Sequence, residues 1–229
     1  MEHKPLVSVI IPVYNGERFL AEAVRSVLVQ IYQPIEVIVV DDGSTDASAS
    51  IAKEFGAALR YCSIQHGGPA AARNEGVRLA KGEFLSFLDA DDVWEEDKLA
   101  IQAELFAHQE SLDMCFTGIQ QFLSSGSKPP AGSAEMHYGP QAGYHCSALM
   151  VKKDAFFRVG LFNEAWRTGE FIDWYARAKS MKLTEAVAQR VLVKRRIHEH
   201  NFTRGQRHNT KDYARILKEV IDRRRNDPQ

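Results

Sequence analysis

Asp89-Ala90-Asp91-Asp92 places three carboxylates within four positions, directly after the apolar run Phe84–Leu88. Carboxylates this close repel one another unless a cation or a hydrogen-bond network offsets the charge. A hard divalent ion such as Mg2+ or Mn2+ takes one or two of them and leaves positions for phosphate oxygens, so that it can neutralise a leaving diphosphate. A helix N-cap is the plainer use of any single Asp at a strand end; the grouping of three favours the ion.

A second acidic cluster, Asp41-Asp42-Gly43-Ser44, follows the buried-strand pattern Ile35–Val40. A carboxylate there can accept from a base N–H or a ribose hydroxyl, and an Asx turn leading into a helix cap explains the same residues equally well. Asp42-x-Ser44 also resembles the start of the metal-dependent adhesion motif of von Willebrand A domains, although Asp46 stands where that motif has its second Ser. No GxGxxG follows the first strand and no GxxxxGK[ST] occurs anywhere. Rossmann-type dinucleotide binding and P-loop phosphate binding therefore lose their main support.

The elements that must position these clusters alternate. Val7–Val13 reads as a strand buried on both faces, and Asn15 is placed to cap a helix carrying Phe19, Leu20, Ala23, Val24, Val27 and Leu28. After the strand at 35–40, Ser44 or Thr45 can cap a helix that Gly56 stops. A short strand at Leu59–Ile64, a Pro69-led helix running to Gly82 and the strand Phe84–Leu88 complete the series. Strand and helix in strict alternation predict an α/β domain with a mostly parallel sheet. Both acidic clusters then fall at the carboxyl ends of strands, where open α/β sheets bind ligands.

Further on, helices are expected over Asp97–His108, Glu170–Lys182 and Asp212–Arg225, strands over Cys146–Val151 and Val191–Ile197, and a loop over Ser124–Pro140. The last helix is amphipathic, with Tyr213, Ile216, Leu217, Val220 and Ile221 on one face and basic residues on the other.

With 229 residues, 45% hydrophobic and 26% charged, the chain is long and apolar enough to fold without disulfides, and is neither disordered nor collagen-like. Cys62, Cys115 and Cys146 are odd in number and lack a CxxC pair, which points to a reducing compartment. No leader-like or 18-residue apolar run is present, so a cytoplasmic protein is expected, peripheral at a membrane inner face at most. The formal charge of −1 conceals a split: residues 190–229 hold 12 Lys+Arg and 5 Asp+Glu, while residues 1–189 hold 17 and 25. Nucleic acid is not the expected partner, because no binding motif accompanies the basic end. That end could instead lie against anionic lipid.

Four segments carry a resemblance: Val7-Ser8-Val9-Ile10-Ile11-Pro12-Val13-Tyr14-Asn15, Val40-Asp41-Asp42-Gly43-Ser44-Thr45-Asp46, Ala72-Arg73-Asn74 and Asp89-Ala90-Asp91-Asp92. In this order and near this spacing they resemble glycosyltransferase family 2, and a looser likeness runs from Ser147 through Gly160 to His198. The resemblance implies a Rossmann-like GT-A fold, and inverting transfer of a sugar from a nucleoside-diphosphate donor, a UDP-sugar by preference, to a hydroxyl acceptor with Mn2+ or Mg2+. A single domain over 1–204 is implied, with a nucleotide-binding half at 1–110, an acceptor half at 111–204 and a basic helix or tail at 205–229. Carried over by position, Pro12 and Tyr14 line the nucleoside pocket, Asp42 reads the base edge, and Arg73 approaches the base or diphosphate. Asp89 takes the ribose or sugar; Asp91, with Asp92, holds the metal, and His198 approaches it or the diphosphate.

Inversion needs a carboxylate to deprotonate the acceptor hydroxyl. Gly169-Glu170-Phe171-Ile172-Asp173-Trp174 matches the family's base-bearing helix start, with Phe171 where the usual Asp stands. Glu170 is the first candidate base and Asp173 the second, the latter also placed to pair with Arg177 at i+4. Phe171 keeps open a nucleotide-sugar-binding module that does not catalyse. The acceptor is a glycan, lipid-linked sugar or protein, and surface-polysaccharide assembly is the preferred setting.

Overall fold

The computed structural model describes residues 4–124, 141–199 and 210–226. Strand β1 (Val7–Val13) is the spine of a nine-stranded sheet. It pairs in parallel with β2 (Ile35–Asp41) on one side and β4 (Phe84–Phe87) on the other, and β3 (Arg60–Ser63) lies parallel outside β2. These strands are apolar on both faces because helices cover both. Helices α1 (Leu20–Leu28) and α2 (Ser48–Glu54) make the crossovers that step outward from β1 to β3. Helix α3 (Pro69–Leu79) then carries the chain back across to β4. It lies so close to β1 that a Cβ at Gly76 would stand 2.3 Å from Ile10 Cγ2. The strand order reverses between β1 and β4, which opens a crevice at their carboxyl ends.

The second half extends the same sheet. Next to β4 come β8 (Met150–Lys152, antiparallel), β6 (Met114–Leu123), β9 (Glu185–Ile197, parallel to β6) and β5 (Val93–Trp94), with β7 (Gln141–Ala142) pairing β6 at Gly118 and Ile119. The four parallel ladders hold most of the paired residues; the antiparallel ones are two or three pairs long. Helices α4 (Lys98–His108), α5 (Lys153–Val159) and α6 (Glu170–Ser180) flank it. The register of β5, with Val93 opposite Lys194, brings the end of β9 beside the Asp89–Asp92 segment.

Helix α7 (Thr210–Asn226) packs on the body through Ile216, which is buried and whose Cδ1 would lie 2.9 Å from a Cβ on Gly169, and through Arg215, whose guanidinium lies 5.4 Å from the centroid of the Trp166 ring. No described helix is long and apolar enough to cross a membrane.

The expected elements of the first half are all present: β1 matches at both ends, β2 runs one residue longer, and β3, β4 and the end of α3 are shorter. Their caps differ. Asn15 does not cap α1, which begins at Leu20; its backbone is left-handed (φ 50) and its Oδ1 accepts the Thr45 N–H. Ser44 and Thr45 lie ahead of α2, and Ser44 Oγ accepts the Asn15 N–H. The two loops satisfy each other rather than the helix ends. Residues Cys146–Ala148 form a 3-10 turn before β8, where a strand was expected throughout. Strand β6 was not anticipated, and β9 begins six residues before the expected Val191. Most of the expected loop, residues 125–140, lies outside the described residues.

Candidate active site

Arg73, buried on α3, spans the crevice. Its Nη2 donates to Asp89 Oδ1 at 2.6 Å, and its Nη1 donates to Glu170 Oε1 at 2.5 Å. Asp89 follows β4 and Glu170 opens α6, so one guanidinium joins the two halves of the molecule. Burial works against the Asp89 carboxylate, but the Arg73 charge beside it overcomes that cost, and its pKa lies below the usual range.

Asp92 is more deeply held. It is 2% exposed; its Oδ1 accepts the Arg196 N–H at 3.1 Å and its Oδ2 accepts from Ser147 Oγ at 2.9 Å. Burial, followed by the neighbouring charges of Asp91 and Asp89, pushes its pKa well above the carboxylate range. A cation would relieve that strain. Asp91 Oδ2 lies 3.0 Å from His198 Nε2, and the His198 ring rests against Phe19 with 4.7 Å between centroids. Arg196 backs this pair: its Nε donates to the Asp91 carbonyl and its Nη2 to Glu22.

His145 joins them. Its Nε2 lies 3.9 Å from Asp89 Oδ2, and ligand atoms of Asp89, Asp92 and His145 all fall within 4.8 Å of one another. Burial pushes the imidazole pKa down to about 4 despite the Asp89 charge. The two carboxylates suit a hard divalent ion, which prefers oxygen ligands. Ser147 binds the group together: its Oγ also accepts the Asp89 N–H at 3.2 Å. Neither His145 nor Ser147 was singled out from the sequence as a site residue. The His-x-Ser spacing just ahead of an apolar run was the only signal, and it specifies nothing alone.

Beside this cluster, Asp42 is 3% exposed at the carboxyl end of β2. Its Oδ1 and Oδ2 accept the N–H groups of Gly67 and Gly68 at 2.8 and 2.9 Å, and His66 Nδ1 lies 2.9 Å from Oδ2. Oδ1 keeps a second lone pair for a ligand donor. Asp41 makes an Asx turn, accepting from the Ser44 N–H, and takes the Tyr61 hydroxyl on its other oxygen. Tyr14 is half-exposed and stacked on His66, with ring centroids 4.3 Å apart. Pro12 lies at the end of β1, opposite Val40.

The fold therefore gathers Arg73, Asp89, Asp91, Asp92, His198 and Glu170 at one end of the sheet, with Tyr14 and Asp42 on the loops of β1 and β2 beside it. Asp173 has other work. It is 1% exposed and pairs with Arg177 Nε at 3.0 Å, and that guanidinium donates to the carbonyls of Val159 and Leu161. Phe171 turns into the core against Phe116 and Tyr175.

The family model of glycosyl transferase family 2 matches residues 8–157. The chain belongs to this family. An uncharacterized glycosyltransferase of Rickettsia typhi is 29% identical over 228 residues, covering 93% of this chain and 71% of the relative. One from Rickettsia felis is 32% identical over 211 residues, 85% of this chain but 34% of the longer protein. TuaG of Bacillus subtilis, a glycosyltransferase whose name provisionally assigns it to teichuronic acid biosynthesis, is 38% identical over 128 residues, 54% of this chain and 50% of TuaG.

Among solved structures, S. aureus TarS 1–349 in complex with UDP-GlcNAc superimposes with a TM-score of 0.78 at 20% identity, over 95% of this chain and 66% of that one. The mannosyltransferase PcManGT from Pyrobaculum calidifontis, in complex with GDP-Man and Mn2+, gives 0.70 at 21% identity, over 99% and 66%. These likenesses show the GT-A fold. The chain spans about a third of the Rickettsia felis relative and about two thirds of these two structures. The family match and the GT-A fold leave no place for the von Willebrand A likeness of Asp42-x-Ser44.

Proposed function

We propose that this chain transfers a sugar, with inversion, from a nucleoside-diphosphate donor to a hydroxyl acceptor, and that the donor is a UDP-sugar. The carrying observation is the convergence of Asp89, Asp91 and Asp92 with the Arg73–Glu170 pair at the strand-order reversal. The UDP and UDP-GlcNAc named in the TarS structures support the donor class. Residues 1–110 form the donor half and 111–204 the acceptor half. The TuaG name supports a setting in surface-polysaccharide assembly.

Tyr14 stacks on the base, with Pro12 behind it, and Asp42 accepts from the base edge. Asp91 and Asp92, with His198, hold Mn2+ or Mg2+; the bound ion supplies charge neutralisation of the leaving diphosphate. Asp89 accepts from the ribose or sugar hydroxyls. Arg73 keeps Asp89 ionised and aimed, and holds Glu170 at the mouth of the acceptor half. Glu170 takes the acceptor proton as the hydroxyl attacks, and Asp173 stays with Arg177 as the reserve candidate.

The test is release of UDP from a panel of UDP-sugars with and without Mn2+ or Mg2+, comparing wild type with Glu170→Gln. Metal-dependent release that survives Glu170→Gln at the wild-type rate would rule out Glu170 as base. A second reading, binding without transfer, is favoured by the Glu170 oxygen already engaged by Arg73 and by Phe171 at the expected base position. UDP binding with neither transfer nor donor hydrolysis would establish it.

Helix α7 supports peripheral contact with an anionic membrane at the cytoplasmic face: Tyr213, Leu217 and Ile221 are exposed along one stripe, with Arg215 and Lys218 beside them. Vesicle binding should fall with salt.

A further inference from the structure

The triad of Asp89, Asp92 and His145 suggests a cation held by all three. The hydrogen bonds separate His145 from the two carboxylates. Its Nδ1 accepts the backbone N–H of Ser147 at 3.3 Å, which closes the turn at Cys146–Ala148. A neutral imidazole whose Nδ1 is an acceptor carries its proton on Nε2. Nε2 is the nitrogen facing Asp89.

A cation takes the bare nitrogen of an imidazole, and the other nitrogen of a metal-bound His donates its N–H to an acceptor. At His145 the other nitrogen meets a donor, so the polarity is reversed. Binding an ion through Nε2 would move the proton to Nδ1 and set it against the Ser147 N–H. The Nε2–H is also too far from Asp89 Oδ2, at 3.9 Å, for a hydrogen bond. Arg73 already occupies the other oxygen of Asp89. An N–H therefore faces the cluster, and among the described residues no acceptor lies within hydrogen-bond reach of it.

We propose that His145 is no metal ligand but a neutral hydrogen-bond donor, whose Nε2–H engages an oxygen of the nucleoside-diphosphate sugar. This rests on the donor reading given above and adds a residue to it. The acceptor oxygen belongs to the diphosphate or to the sugar, and UDP set against UDP-GlcNAc separates the two. Ser147 is the positioning residue: it sets the tautomer through its N–H and steadies Asp92 and Asp89 through its hydroxyl.

Two measurements test the proposal. In wild-type protein, 15N–1H correlation of the imidazole should show His145 protonated on Nε2, before and after addition of Mg2+ with UDP. Calorimetry with Mg2+ should show His145→Ala weakening UDP-GlcNAc about tenfold. UDP should weaken equally if the phosphate is the partner, and remain unchanged if the sugar is. His145→Gln, whose amide N–H reaches a similar place, should stay within about threefold of wild type, and Mn2+ affinity by electron paramagnetic resonance should be the same in all three proteins. Protonation on Nδ1, a loss of Mn2+ affinity in His145→Ala, or unchanged binding of both nucleotides would overturn it. Wild-type protein that binds neither nucleotide would overturn the donor reading beneath it, an outcome distinct from all three.

Discussion

The proposed nucleotide side and the proposed metal side of the crevice both rest on aspartates at strand ends, yet they are stabilised differently. Asp41 and Asp42 are held by chain neighbours: Ser44, Tyr61, Gly67 and Gly68 lie 3 to 26 residues away. Loops 15–17 and 44–48 lock to each other through Asn15, Ser44, Asp46 and Ser48. On the metal side, Asp92 is held by Ser147 and Arg196, 55 and 104 residues away, and Asp91 faces His198 across 107. The first is a local device carried by one βαβ stretch. The second exists only once β5, β8 and β9 have assembled, so its geometry depends on the whole fold.

The largest expected effect falls on the assembled side. Asp91→Ala should lower metal-dependent turnover on the order of 10²–10³-fold, measured as UDP release, while the circular dichroism spectrum is unchanged. Wild-type turnover would show that this side carries no chemistry. Arg73→Met leaves the buried Glu170 and the half-buried Asp89 without their cation. Removing one partner of a buried ion pair costs about 3–5 kcal/mol, measurable by urea denaturation. A loss below about 1 kcal/mol would mean that the two halves are joined by packing alone.

The local side should respond in affinity rather than stability. Tyr14→Ala removes a half-exposed ring, so UDP should bind about tenfold more weakly by calorimetry, about 1.4 kcal/mol and near the low end of what a base–aromatic stack contributes, with an unchanged melting temperature. A lowered melting temperature would show that the Tyr14–His66 stack holds the loops together.

The smallest effect concerns the floor of the metal side. Lys98 is fully buried, with Nζ 2.7 Å from Gln102 Oε1 and 3.8 Å from the centroid of the Trp94 ring; Gln102 and Trp94 in turn bond the carbonyls of Ala148 and Ser147. Burial lowers its pKa to about 7. The unfolded chain, with an ordinary lysine near 10.4, binds more protons between pH 7 and 10, so stability should rise with pH across that window and be lost as pH falls through about 7. Lys98→Met should flatten that slope in melting curves taken from pH 7 to 10. An unaltered slope would rule out a neutral Lys98.

This contrast explains what the sequence revealed. The ends of β1, β2 and β4, and with them Tyr14, Asp42 and Asp89, are announced by apolar runs that stop at Asp or Asn. The Arg73–Glu170 bridge spans 97 residues and has no local signature. Strand β6 passed unnoticed because its apolar start, Met114–Phe116, runs into Gln120 and Gln121, which break the buried pattern. The first half of β9 was missed because Glu185–Arg190 shows no regular alternation of apolar and polar residues and reads as loop. His145 has no neighbour in sequence that betrays it; its role depends on a backbone N–H two residues on. Asp173 pairs with Arg177, as the i+4 spacing in the sequence allowed.

Gly169 has a consequence that reaches past its own turn. Its left-handed backbone, φ 83, starts α6, and the space a side chain would fill there is taken by Ile216 and Tyr213 of α7. The peptide that carries Glu170 is thus seated against the far end of the chain. Lifting that helix, by a fusion, a truncation or a surface that competes for Ile216, uncovers the pivot from which the carboxylate is aimed.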